Sequence, residues 1–372
     1  MKIGIMSMQR VLNYGSFLQA YGLKSILESM GHSVEFVDYL PEPSLIAEIH
    51  ETTDRRILRK ARVAYKMLSR KYRNYRKEQI QANQSFGRFC DRFVNEFLPE
   101  LGITEERNYC PELDALIIGS DEVFNCTQPG EMVGYSCQLF GKNHRAKRLL
   151  SYAASFGSTT INKLEGYGVL DEVGQYLKRF DYLSVRDENS AMIVRSLCGS
   201  SPEQHIDPVL LYQFPEVEQI HVQQKDYIIV YAYAGRISET EAAAIRAFAQ
   251  KEGKQLVSLG FQQPFCDACV LASPLEVLAY VKNADYVITD TFHGTVFSIK
   301  YQVPFATLVR DSNRQKLEDL LIRFGLKNRC ITTLDTMEDI LRIPLECESV
   351  SGLVEGYRAS AMTYLKNSLH GE

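Results

Sequence analysis

Short apolar runs of strand length alternate with longer segments of helical periodicity along most of this 372-residue chain. A parallel strand needs a long crossover to reach its neighbour, and a helix usually supplies it, so the alternation predicts an α/β fold with a mainly parallel sheet. The predicted strands are Lys2–Met6, His32–Tyr39, Asp114–Ser120, Arg148–Ser155, Asp181–Asp187, Glu203–Pro208, Tyr227–Tyr233, Gln255–Gly260 and Asp285–Asp290.

The strand–helix pattern breaks at "VLLYQFPEVEQIHVQQKD", residues 209–226, which contain a proline and show no clear periodicity. We interpret this segment as a linker between two Rossmann-like domains, residues 1–208 and 227–350, because the chain is longer than one hydrophobic core usually organises. A helix at 351–372 is predicted to pack back on the first domain. Two such domains, joined by one linker, usually place their active site in the cleft between them.

A basic helical insertion is predicted at residues 50–98 of the first domain. Within it, residues 55–77 carry eleven lysine or arginine side chains and no acidic one, together with an apolar stripe at helical spacing. The simplest interpretation is a solvated helix. The alternatives are a basic face for peripheral contact with anionic lipid or with a pyrophosphate-bearing acceptor, or a nucleic-acid or partner surface.

Charge and composition limit the classes of protein. The formal net charge of −4 argues against a nucleic-acid binder that relies on overall positive charge. The first apolar run is too short for a signal peptide, and no run reaches the roughly 18 to 20 residues of a membrane span. Nine irregularly spaced cysteines suit a reducing compartment. We therefore expect a cytoplasmic protein, with peripheral contact to the inner face of the membrane as an option. Its oligomeric state stays open.

Two strand ends of the first domain offer candidate binding groups. Asn13, Tyr14 and Gly15 open the first predicted helix, where backbone amides favour anions; the alternative is an ordinary helix cap with a glycine that relieves the turn. Ser120 and Asp121 follow the strand "DALIIG". They could cap a turn, or the carboxylate could serve as a general base or hold a sugar hydroxyl.

Cationic candidates follow later strands. Arg186 ends the strand in "YLSVRDENS", just before a helix, and could bind phosphate or carboxylate with two hydrogen bonds; the alternative is a surface ion pair. "TDTFHGTVFSIKYQVPF" presents His293 at a strand end, as a helix cap or as a reactive group, with Gly294 allowing close approach of a ligand. The basic side chains downstream that could close over an anion are Arg310, Arg314 and Lys316.

Six segments in order resemble the polysaccharide pyruvyl transferase family, from about residue 1 to about residue 330. They are "NYGSFLQAYGL", "GSDEVFN", "SYAASFG", "LSVRDENS", "IDPVLL" and "TDTFHGTVFSIKYQVPF". The resemblance implies two Rossmann-like domains facing a cleft, the GT-B-like architecture of inverting glycosyltransferases. It also implies transfer of a pyruvyl group from phosphoenolpyruvate to a sugar of a cell-surface polysaccharide or its lipid-linked precursor, which forms a pyruvate ketal.

The resemblance also assigns roles to residues. Arg186 matches a family arginine that contacts phosphoenolpyruvate. His293 matches a family histidine of the donor site, and Lys316 matches a basic residue that follows the next strand. Many members carry an arginine where this chain has Thr291, and Arg310 or Arg314 would have to compensate. Asp121 is a candidate base. Neither a metal nor a cofactor is expected, because protonation activates the enol ether.

Two other functions remain open from the sequence. The same architecture would suit a glycosyltransferase that uses a nucleotide sugar, although the loop "GFQQPFCDA" has no acid before Asp267 that could hold a ribose. A binding or scaffold protein without catalytic activity is the other alternative, and the presence of Arg186 and His293 argues against it.

Overall fold

A computed structural model describes residues 1–46, 84–128 and 134–371. The basic segment 55–77, and with it most of the predicted insertion, lies outside the described residues. The rest forms two parallel six-stranded sheets with helices. The first sheet contains β1 Lys2–Met6, β2 Ser33–Phe36, β3 Glu112–Asp121, β4 Arg145–Ala154, β5 Ser184–Val185 and β6 Glu203–Gln204. The second contains β7 Tyr227–Tyr231, β8 Gln255–Leu259, β9 Ala268–Val270, β10 Tyr286–Thr289, β11 Phe305–Leu308 and β12 Cys330–Ile331.

Helices connect almost all successive strands. They are α1 Tyr14–Ser29, α2 at 84–100 with a π-helical turn at Phe93–Phe97, α3 Ile161–Gly166, α4 Leu170–Leu177, α5 Glu188–Cys198, α6 Pro208–Leu211, α7 Glu239–Glu252, α8 Pro274–Lys282, α9 Phe292–Tyr301, α10 Arg314–Arg323, α11 Met337–Arg342 and α12 Cys347–His370. Short 3₁₀ turns occupy Cys137–Phe140, Pro215–Gln219, Lys327–Arg329 and Leu334–Thr336. In α7 and α8 the N-cap serines, Ser238 and Ser273, form capping boxes.

Strand order places a ligand crevice in each sheet. The first sheet runs β2-β1-β3-β4-β5-β6, and the second runs β12-β11-β10-β7-β8-β9, which is the doubly wound Rossmann order. The order reverses between β1 and β3 in the first sheet and between β7 and β10 in the second. Ligands of such sheets bind at the carboxyl ends of the strands beside these reversals. The four loops that matter most for function therefore follow β1, β3, β7 and β10.

Two predicted strands are much shorter than the sequence suggested. The segment Asp181–Asp187 contributes only Ser184–Val185, and Glu203–Pro208 contributes only Glu203–Gln204. In the second case the strand stops because Asp207 accepts a hydrogen bond from the Val209 amide at 3.0 Å and begins α6, with Pro208 in its first turn.

The segment predicted as a linker is packed rather than extended. It contains α6 and the 3₁₀ turn Pro215–Gln219, and its apolar side chains Leu210, Phe214 and Val217 are buried. Beyond the second sheet, α12 runs back to the first, where the Tyr364 hydroxyl donates to the Ser151 carbonyl at 2.7 Å. The numbered domain boundaries stay a prediction. None of the helices in the described part of the chain has the length and apolar content that crossing a membrane requires.

Candidate active site

A cleft of about 530 Å³ lies between the carboxyl ends of the two sheets. The segments after β1, β3 and β4 line one wall, chiefly with Asn13, Ser16, Asp121, Glu122, Asn125 and Ser158. The loops after β7, β10 and β11 line the other, chiefly with Arg236, Thr291, Phe292, His293, Ser312 and Lys316. The first wall thus carries two carboxylates, and the second carries two permanent cations and a histidine.

His293 occupies the first turn of α9, where sequence and structure agree on a strand-to-helix transition. Thr291 begins the helix, because its extended backbone and its hydroxyl, which accepts from the Gly294 amide at 2.9 Å, form an N-cap. His293, the second residue of the helix, therefore projects from its amino end. The role predicted for Gly294 changes: a Cβ there would lie 2.2 Å from Thr289 Oγ1, so this glycine allows helix–strand packing rather than approach of a ligand.

The His293 ring is held from both sides by the first domain. Its Nε2 lies 3.6 Å from a carboxylate oxygen of Asp207, whose side chain is fully buried. On the opposite side the ring rests on Gly15, where a Cβ would stand 2.1 Å from Nδ1. Asp207 is thus the carboxylate beside Nε2, and Nδ1 lies on the Gly15 side of the ring. Gly15 is therefore placed against the histidine.

Arg186 lies beneath the cleft rather than in it. Its Nη1 donates to Asp207 at 2.9 Å, and its Nη2 lies 3.4 Å from Asp121. The guanidinium also stacks under the Phe292 ring, 4.1 Å from its centroid. With a side chain only 3% exposed, Arg186 organises the two carboxylates around His293. Its predicted direct contact with a ligand would require Phe292 to move aside.

Asp121 ends β3 and does line the cleft. It accepts a hydrogen bond from the Ser16 hydroxyl at 2.9 Å and adopts a left-handed backbone with φ of 75°, a conformation that is uncommon for a non-glycine residue. Burial opposes its ionisation, but the charges of His293 and Arg186 outweigh burial and hold the pKa of Asp121 below its usual range. The carboxylate is therefore ionised at neutral pH.

Lys316 reaches the cleft from α10. Its Nζ forms an ion pair with Glu122 of the opposite wall. Burial raises the pKa of Glu122, but the Lys316 charge more than compensates and lowers it overall. The pair joins the two domains across the cleft.

Several predicted binding residues are placed elsewhere. The Tyr14 hydroxyl donates to the Ala272 carbonyl at 2.7 Å, and its buried ring packs on Phe89, so it joins the two domains structurally. The Ser120 side chain is buried within β3 and does not line the cleft. These positions were attractive in sequence because they flank residues that do line it.

Neither arginine expected to compensate for Thr291 faces the cleft. The Arg310 guanidinium pairs with the Glu241 carboxylate at 2.6 Å, and Arg314 pairs with its surface neighbours Asp311 and Glu318. Arg236, which the sequence reasoning missed, lines the cleft instead. It follows the first strand of the second domain as Asn13 follows that of the first, but Arg310 also follows a strand, so this position alone does not single it out.

Asp207 is the other functional residue that was missed, although it lies in the quoted motif "IDPVLL". Burial raises its pKa, but the nearby His293 and the Arg186 charge lower it overall. Within residues 1–46, 84–128 and 134–371, no group of three or more histidine, cysteine or acidic side chains is arranged to hold a metal ion.

Comparison with solved structures identifies the architecture. A protein described as a putative UDP-N-acetylglucosamine 2-epimerase from Listeria monocytogenes superposes with a TM-score of 0.52 at 12% identity, covering 99% of this chain and 95% of that one. The calicheamicin glycosyltransferase CalG4 gives a TM-score of 0.45 at 12% identity, covering 99% and 98%. The UDP-GlcNAc 2-epimerase of Methanocaldococcus jannaschii gives 0.46 at 11%, covering 95% and 99%. The two parallel six-stranded sheets and the first of these matches confirm the predicted two-domain GT-B-like fold.

Sequence comparison addresses the family. No curated protein matches the chain significantly. A family model described as polysaccharide pyruvyl transferase, however, matches residues 13–312, which include both walls of the cleft except Asn313, Lys316 and the residues before Asn13. The match spans well over half of the chain and agrees with the resemblance of its six motifs. The chain therefore belongs to the polysaccharide pyruvyl transferase family.

Proposed function

We propose that the protein transfers the pyruvyl group of phosphoenolpyruvate to two hydroxyls of one sugar, forming a pyruvate ketal and releasing phosphate. The acceptor is a cell-surface polysaccharide or its lipid-linked precursor, reached from the cytoplasm. The observation that carries the proposal is the opposite charge of the two walls of the cleft. The wall of the second domain carries Arg236, His293 and Lys316, while Asp121 and Glu122 face it from the first.

The cationic wall suits a small, highly charged anion. Phosphoenolpyruvate carries both a phosphate and a carboxylate, so its binding needs several cations or helix amino ends. Helix α9 points its amino end at the cleft, and the Phe292 and His293 amides in its first turn add to the charge of Lys316. The donor is therefore expected against the second domain.

The acidic wall suits the acceptor sugar. Carboxylates bind sugar hydroxyls and can take a proton from an attacking one, and Asp121 is both ionised and close to His293. Polar side chains continue the same wall, including Asn125, Thr127 and Ser158. The sugar therefore lies between Asp121 and the donor.

The reaction balances without a metal or a cofactor. His293 protonates the methylene carbon of the donor, C2 gains oxocarbenium character, and a sugar hydroxyl attacks it while Asp121 receives the hydroxyl proton. Phosphate leaves as the C–O bond to it breaks. A second hydroxyl of the same sugar then attacks C2 and closes the ketal ring; its proton returns to His293, and the proton taken by Asp121 leaves with the phosphate. The helix amides and Lys316 stabilise the departing phosphate.

The first experiment identifies the donor. Purified protein is heated in the presence of phosphoenolpyruvate, a UDP-sugar or a GDP-sugar, because a ligand that binds the folded state raises the melting temperature. We expect stabilisation by phosphoenolpyruvate alone. Stabilisation by a nucleotide sugar alone would instead support a glycosyltransferase. Incubation with lipid-linked oligosaccharides and mass spectrometry then tests for an added ketal.

The second experiment tests His293. His293→Ala should lower phosphate release by at least about 100-fold, since general acid–base groups commonly contribute 10²–10⁴-fold. The matched control is His221→Ala, which removes an exposed histidine. Circular dichroism checks that both variants are folded. Near wild-type phosphate release by folded His293→Ala would contradict the assignment.

A further inference from the structure

We infer that Arg236 is the residue that binds the carboxylate of the donor, and so selects a phosphorylated carboxylic acid over a plain phosphate ester. The inference rests on the proposed function. Arg236 follows β7 and lines the cleft on the wall that carries His293 and Lys316. Nothing in its local sequence sets it apart from the other arginines of the second domain, so the structure alone singles it out.

The Arg236 guanidinium is fixed in place by three contacts. Its Nε lies 3.0 Å from a carboxylate oxygen of Asp290, whose side chain is fully buried, and its Nη2 donates to the Ser312 hydroxyl at 3.1 Å. Its face lies over the Tyr233 ring, 5.5 Å from the centroid. A guanidinium oriented in this way loses little further conformational entropy when a ligand binds.

These contacts leave part of the guanidinium fork available. Among the described residues, none accepts a hydrogen bond from Nη1 of Arg236, and the side chain is 30% exposed. The free N–H groups lie in one plane, which matches the two oxygens of a carboxylate. The fork is therefore preorganised for a planar, bidentate anion.

The other cations near the cleft are suited to the phosphate or already occupied. Lys316 is a point charge beside the amino end of α9, and both features favour phosphate. Arg186 is held under Phe292 by two carboxylates, and Arg310 by Glu241. Because Thr291 serves as a helix cap, it supplies no charge. Arg236 is the cation that remains for the carboxylate.

The experiment compares two ligands by titration calorimetry: phosphoenolpyruvate, which has both anionic groups, and methyl phosphate, which lacks the carboxylate. Arg236→Gln should raise the Kd for phosphoenolpyruvate by at least about tenfold, in line with a charged hydrogen-bond pair. The Kd for methyl phosphate should change less than about twofold. Arg246→Gln, which removes an exposed arginine of α7, is the matched control and should leave both constants unchanged.

A second set of variants separates binding from folding. Arg236→Gln leaves the buried Asp290 with Arg310, whose Nε is 3.8 Å away, as its nearby cation. Arg236→Lys keeps the charge but loses the planar fork, and Arg236→Gln/Asp290→Asn removes both charges. Circular dichroism should show that Arg236→Lys and the double variant are both folded. Both should lose affinity for phosphoenolpyruvate but not for methyl phosphate, and the loss should be smaller for Arg236→Lys.

The possible outcomes distinguish this inference from the proposed function. If wild-type protein binds phosphoenolpyruvate and folded Arg236 variants bind it equally well, the inference fails while the proposed function stands. If the variants lose both ligands to the same extent, Arg236 binds phosphate and the carboxylate assignment is wrong. If wild-type protein binds neither ligand, the proposed function and this inference fall together.

Discussion

Single residues in this protein act through contacts between the two domains. His293 comes from the second domain, yet both groups that fix its ring, Asp207 and Gly15, come from the first or its border with the linker. The chemistry proposed here forms no covalent bond to the protein and needs a proton delivered at one defined point. The position of a proton donor is then set by how closely the two domains meet.

Gly15→Ala tests this contact. An alanine normally stabilises a helix relative to glycine by roughly 1 kcal/mol, but here the new methyl group would stand 2.1 Å from His293 Nδ1. We expect the ring to be displaced and phosphate release to fall by at least about tenfold in a folded protein. The control is Gly174→Ala in α4, where the nearest atom is 3.6 Å away and activity should not change. Full activity of Gly15→Ala would show that the ring position is unimportant.

At the scale of elements, the ends of strands carry the function, and much of this was predictable. The long strands β1, β3, β7 and β10 were recognised because their buried apolar runs are uninterrupted. The loops that follow these four strands reach the cleft. Strands β5 and β6 were also recognised, but their two-residue length could not be predicted. The limit of β6 depends on the cap that Asp207 forms for α6, which local apolar pattern does not show.

The site was only partly predictable for a different physical reason. Asn13, Asp121, His293 and Lys316 do meet in the cleft. Arg310 and Arg236 both follow strands of the second domain, and sequence offers no means to rank them. What separates them is that Glu241, 69 residues before Arg310, neutralises that arginine. Pairings over such distances follow from the tertiary structure and not from local pattern.

The contact between helix α10 and the end of β3 yields a further prediction. Lys316 pairs with Glu122, so a donor phosphate must compete with that carboxylate for the lysine. Glu122→Gln should therefore tighten phosphoenolpyruvate binding by about two- to fivefold, the range expected for a partly exposed ion pair. Titration calorimetry measures it, with the exposed Glu165→Gln as control. Weaker binding would mean that Glu122 positions Lys316 rather than competing for it.

At the scale of the whole molecule, helix α12 ties the end of the chain to the first sheet. Arg148 donates to the last carbonyls of α12, including that of His370 at 3.2 Å. Next to this contact, the His205 ring lies 4.6 Å from the Tyr364 ring and its Nδ1 is 2.8 Å from the Ser184 hydroxyl. His205 is therefore enclosed between the first sheet and α12.

This enclosure makes stability depend on pH. Burial, with a smaller contribution from the Arg323 charge, lowers the pKa of His205 to about 4, while Glu203 lies 3.6 Å from Nε2 without reversing the shift. Because the unfolded chain takes up this proton near pH 6.5 and the folded one only near pH 4, stability is lost as the pH falls through that window.

We expect wild-type protein to lose about 2 kcal/mol of unfolding free energy between pH 7 and pH 5 through His205. Urea unfolding at both values measures the loss. Burial also lowers the pKa of His32 and of His144, so the comparison with His205→Asn isolates this one group. The variant should lose about 2 kcal/mol less than wild type over the same interval. Equal losses would exclude His205 as the cause.

The return of α12 also limits how the cleft can open. The chain crosses between the sheets at α6 and again before α12, and Arg358 of α12 donates to the carbonyls of Leu210 and Leu211 at 3.1 and 2.9 Å. The hydrogen bonds of Arg358 thus join the two crossings, which form one pivot. Asp207 immediately precedes α6 and therefore lies beside that pivot. Rotation of one domain about the pivot would displace nearby atoms least, so the contact between Asp207 and His293 would change little. The proton donor would then keep its orientation while the rest of the cleft admits and releases substrates.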